Sequence, residues 1–72
     1  STDICFKIPI DSEVTINVRS INGQLIKTFN GYYNSGIHYV KLNDEDLIQS
    51  GVYYYEMRYG NHIVLEKMIL LK

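Results

Sequence analysis

The sequence predicts an all-β protein, a small antiparallel β-sandwich of six to seven strands. Three observations predict it. Apolar and polar residues alternate with a period of two over several short runs, the mark of strands with one buried face. Gly- and Asn-containing turn signals separate those runs at regular intervals. Seven of the 72 residues are Tyr, a side chain suited to pleated, half-buried surfaces, and hydrophobic residues reach 46%. A chain of this length is read as one domain, residues 1–72, with a modest core.

The elements follow in order. Ile4, Phe6 and Ile8 share one face of a first strand and Cys5 and Lys7 the other, until Pro9, which has no N–H to donate, ends the pairing. Val14, Ile16 and Val18 form the next inward face, with Thr15, Asn17 and Arg19 outward. Asn22-Gly23 then predicts a two-residue type I′ hairpin turn. The returning strand covers Gln24 to Phe29, and the three-residue spacing of Ile26 and Phe29 predicts a bulge. Asn30-Gly31 and Asn34-Ser35-Gly36 place Tyr32-Tyr33 in a loop.

A further strand over Ile37 to Leu42 turns His38, Val40 and Leu42 inward. Asn43 to Gly51 is the one helix-like stretch, with acids at its start and Gly51 as its stop. Val52 to Tyr59 puts Tyr53, Tyr55 and Met57 on one face, Gly60-Asn61 forms a second tight turn, and His62 to Leu71 is the last strand. Phe6, Ile16, Val18, Phe29, Val40, Leu42, Tyr53, Tyr55, Met68 and Leu70 are expected in one core. Short strands with regular turns are the pattern of an immunoglobulin-like sandwich.

Composition excludes several functions. Net charge is −1 with no basic cluster, which disfavours nucleic acid. No apolar run is long enough for a membrane-spanning helix. Cys5 is the lone cysteine, so no intrachain disulfide forms and no cysteine-based zinc site is expected. The chain starts at Ser1 without a leader-like run, as a fragment or processed piece would. His38 reads as a half-buried core histidine and His62 as an exposed one; neither is expected to bind metal. Asn43-Asp44-Glu45-Asp46 offers oxygen ligands but lacks the spacing of a calcium loop, so a solvated capping loop is the plainer reading. Tyr54, with Tyr39 and either Tyr32 or Tyr33, is a candidate exposed aromatic patch. No triad or ligand spacing is present, so neither catalysis nor a cofactor is expected.

Taken in order, the motifs resemble the C-terminal sorting domain of the bacterial type IX secretion system. Ile4-Cys5-Phe6-Lys7-Ile8-Pro9 resembles the family's opening strand, although Cys5 stands where a small polar residue is usual. Val14 to Arg19 with Ile21-Asn22-Gly23-Gln24 resembles its second strand and hairpin. Gly36-Ile37-His38-Tyr39-Val40, Leu47-Ile48-Gln49-Ser50-Gly51-Val52-Tyr53 and Lys67-Met68-Ile69-Leu70-Leu71-Lys72 resemble the later segments. The Asn-Pro that often opens such domains is absent.

The resemblance implies a non-catalytic delivery signal that is covalently part of a larger cargo protein. The implied partners are the outer-membrane translocon and a sortase-like signal peptidase. The implied route runs through the periplasm to the cell surface or medium. An immunoglobulin-like module of the flagellar hook-capping type, or an accessory sandwich of a secreted enzyme, has a similar pattern and is the alternative. Within the sorting reading, recognition is expected at Gly51, Tyr53, Lys67, Met68, Ile69, Leu70, Leu71 and Lys72. The last strand has apolar residues on both faces, whereas a lone sandwich needs only one.

Overall fold

A computed structural model of the chain describes residues 2–43 and 51–70. Among them are six strands: β1 (Thr2–Ile8), β2 (Ser12–Ser20), β3 (Leu25–Tyr33), β4 (Gly36–Leu42), β5 (Gly51–Tyr59) and β6 (His62–Leu70). β1 and β4 form a two-stranded antiparallel sheet, and the order β3-β2-β5-β6 makes a four-stranded antiparallel one. The expected helix-like stretch falls mostly on residues 44–50 and so lies outside the described residues.

Alternation decides which side chains meet. Ile4, Phe6 and Ile8 of β1 and Val40 and Leu42 of β4 face Val14, Ile16 and Val18 of β2 and Tyr53 and Met57 of β5 in a single buried cluster. Each aliphatic side chain so buried contributes about 1.5–3 kcal/mol. Phe29, Tyr55 and Met68, also expected in the core, are half-buried and pack against it. The side chain of Leu70 lies outside the described residues. Pro9 ends β1 as expected.

Two local expectations are corrected. Tyr32-Tyr33 does not lie in a loop, because β3 runs on to Tyr33, with Gly31 opposite Val14 and Tyr33 opposite Ser12. Gly31 lies within the strand, where a Cβ would meet the Tyr33 ring at ordinary contact distance (3.5 Å), and that ring packs edge-on against Phe6 at 5.1 Å. The first hairpin is not a type I′ turn either. The Gly23 N–H donates to the Ser20 carbonyl (2.9 Å) and the Ser20 N–H to the Gln24 carbonyl (2.9 Å), closing a three-residue loop. Only Gly23 has positive φ (+87°), and Asn22 does not. This is a turn relieved by one glycine at the bulge position. The predicted irregularity in β3 is present, as a register shift opposite Val18 and Arg19 that leaves Ile26 unpaired and packed on the core.

Candidate functional site

β6 is built by the second tight turn. Gly60 (φ +55°) and Asn61 return the chain so that His62 pairs with Tyr59. Among the described residues β6 then pairs with β5 alone, which makes it an edge strand of the four-stranded sheet. Its inward residues Val64 and Met68 are half-buried against the core. Glu66, also on the inward side, pairs with Tyr55 and is exposed. Partial burial raises the Tyr55 phenol above its usual value, with the Glu66 carboxylate and Cys5 adding to the effect.

The outward side of β6 is apolar. Ile63, Leu65 and Ile69 are 58%, 70% and 66% exposed, with Lys67 between the last two. In register these residues lie beside Arg58, Glu56 and Val52 of β5, and Lys67 beside Tyr54. Arg19 of β2 lies on the other side of Tyr54, so a cation, an aromatic ring and a cation form one row across three strands. A surface groove of about 430 Å³ lies over that row, lined by Arg19, Ile21, Gly23, Tyr54, Leu65 and Lys67 among others. The Arg19 guanidinium donates to the Gly23 carbonyl (3.1 Å).

Most of the residues expected at a recognition site do come together. Gly51 pairs with Leu70, Val52 with Ile69, Tyr53 with Met68 and Tyr54 with Lys67. Gly51 has φ +149°, and a Cβ there would meet nothing within 4 Å, so backbone conformation rather than space selects glycine. Tyr53 is buried and holds this end of β5 in the core. Met68 anchors β6 from inside, while Lys67 and Ile69 point to solvent. Leu71 and Lys72 lie outside the described residues. Residue reasoning missed Ile63, Leu65 and Tyr54 as parts of this surface. The signal was present: the parity that turns Ile69 outward also turns Ile63 and Leu65 outward.

Other candidates resolve differently. The exposed tyrosine patch does not assemble. Tyr39 faces out from the two-stranded sheet beside Cys5, and Tyr33 turns inward. Tyr32 is level with Glu13 and Tyr54 with Arg19, which puts them about 20 Å apart along β2. His38 is half-buried, stacked near Tyr33 (4.9 Å) and Phe6 (5.6 Å), and its Nε2 donates to the Asn34 carbonyl at 2.6 Å. His62 is exposed. Among the described residues no three His, Cys, Asp or Glu side chains gather as a metal site. The acidic positions 44–46 lie outside them. No described helix is long and apolar enough to cross a membrane.

Comparison with known protein families gives a match. The family profile described as secretion system C-terminal sorting domain covers residues 2–71. No curated protein and no solved structure matches the chain significantly. With essentially the whole chain matched, and with an all-β sandwich as its fold, the protein belongs to the type IX secretion C-terminal sorting-domain family.

Proposed function

We propose that this sorting domain acts as a folded, non-catalytic ligand that carries a covalently attached cargo polypeptide out of the cell. In this reading the cargo passes from the periplasm through the outer-membrane translocon to the cell surface or medium. A sortase-like signal peptidase is the second partner. Recognition falls on Lys67, Met68, Ile69 and Leu70 at the end of β6 and on Leu71 and Lys72, which follow it in sequence, supported from β5 by Gly51 and Tyr53.

The observation that carries this reading is the exposed apolar side of a strand that is, among the described residues, an edge of its sheet. Burying exposed aliphatic side chains such as Leu65 and Ile69 against a partner would yield about 1–2 kcal/mol each. The unpaired backbone of an edge offers main-chain hydrogen bonds as well. The domain's own core uses neither resource. The test is a reporter fused to the domain in a bacterium with type IX secretion, with residues 67–72 deleted. Surface delivery is expected to stop while protease-resistant reporter collects in the periplasm. Undiminished delivery would place recognition elsewhere.

A further inference from the structure

The edge of β6 specifies what can pair with it. Its two central residues are oppositely charged and face opposite ways: Glu66 on the inward side, Lys67 on the outward side, both exposed. Neither makes an ion pair among the described residues. Aliphatic residues flank them, Ile63, Leu65 and Ile69 outward and Val64 and Met68 inward. In a sheet, directly opposed residues lie on the same face and interact as pairs.

We propose that β6 accepts an extended polypeptide strand with a defined charge order. The strand carries an acidic residue beside Lys67, an adjacent basic residue beside Glu66, and aliphatic residues beside Leu65 and Ile69. This rests on the sorting reading above and names the chemistry of its partner. Arg19, in the same row as Lys67 and two strands in, adds positive potential on the outward side and favours the acid there.

A second copy of β6 does not meet these requirements. Antiparallel pairing of two copies that keeps inner faces together can only set Lys67 opposite outward residues. Those are Ile63, Leu65, Ile69 or another Lys67, and none is acidic. Glu66 meets only inward residues, none of which is Lys or Arg. Two of these registers place like charges face to face. The order Glu66-Lys67 therefore disfavours self-pairing while leaving a heterologous strand fully matched, a known use of charge on sheet edges.

The experiment uses the 72-residue chain and two synthetic seven-residue alternating peptides. One carries the matched acid–base pair and the other the same pair in swapped order. Amide-exchange protection and chemical-shift titration locate and quantify binding. The matched peptide is expected to bind roughly tenfold tighter and to protect β6 amides. The double variant Glu66→Lys with Lys67→Glu is expected to invert the preference. Equal affinity for the two peptides, protection on another edge, or an uninverted preference in the double variant would each overturn the proposal. If the peptides fail to discriminate while deletion of residues 67–72 still blocks delivery, the charge order is wrong and the sorting reading stands. If delivery survives that deletion, the sorting reading of this strand falls whatever the peptides do.

Discussion

β2 and β6 are both nine-residue strands of one sheet, yet they use apolar residues in opposite ways. β2 is paired on both sides and buries Val14, Ile16 and Val18 almost completely. Its outward side is polar and tied to its neighbours. The Thr28 hydroxyl donates to Asn17 Oδ1 (2.9 Å), Asn17 Nδ2 donates to Glu56 Oε1 (3.4 Å), and Arg58 Nε donates to the same oxygen (3.2 Å). Those hydrogen bonds, Arg58's first, hold the Glu56 carboxyl below its usual range. β6 is paired on one side, buries little, and exposes aliphatic residues outward. The fold's own needs account for Val14, Ile16 and Val18 of β2 on one side and Asn17 on the other. They leave the exposed aliphatic residues on the outward side of β6 unused by the core, and the proposed partner would cover that surface.

Stability measurements sharpen the contrast. Ile16→Ala should cost about 2–5 kcal/mol, read as a lowered urea midpoint, because the cavity it opens lies under both sheets. Leu65→Ala, which removes as apolar a side chain from β6, should change stability by no more than about 0.5 kcal/mol. A large loss at Leu65 would mean that its exposure has been misjudged. Gly23→Val should cost about 1–2 kcal/mol, since φ of +87° is strained for any residue with a Cβ. Asn17→Ala should cost about 1 kcal/mol by removing the centre of the polar ladder on β2.

The smallest effect is a pH dependence at the junction of β5 and β6. Because the folded-state pKa of Tyr55 is raised, its neutral form is favoured in the fold. The associated stability is present below the ordinary tyrosine value near 10 and is lost as pH rises through the folded value. Tyr55→Phe should therefore flatten the alkaline limb of a stability-versus-pH curve relative to the parent. An unchanged alkaline limb would show that Glu66 and partial burial do not act on this phenol.

The strands were legible because period-two alternation is a direct consequence of one-sided burial, and β1, β2, β4 and β5 follow it closely. The errors fell where a residue type serves two purposes. Asn30-Gly31 has turn composition, but both residues pair with β2 inside β3, Asn30 with Thr15 and Gly31 with Val14, and nothing local reveals that. Asn22-Gly23 permits positive φ at both positions, and the loop needs it at one. The tyrosine patch failed because parity assigns a face within a strand and not a place among sheets. At the candidate site, the parity that turns Met68 to the core sets Ile69 on the opposite face. That β6 is an edge, and that Arg19 and Tyr54 stand in line with Lys67, required the strand order.

The central claim is that the outward side of β6 serves recognition and not folding. The most direct measurement compares the parent domain with the double variant Leu65→Ser, Ile69→Ser, each fused to a reporter in a type IX-competent bacterium, with urea unfolding of the purified domains alongside. The account predicts stability within about 0.5 kcal/mol of the parent, together with loss of surface delivery and folded reporter held in the periplasm. Delivery equal to the parent's from an equally stable double variant would contradict it.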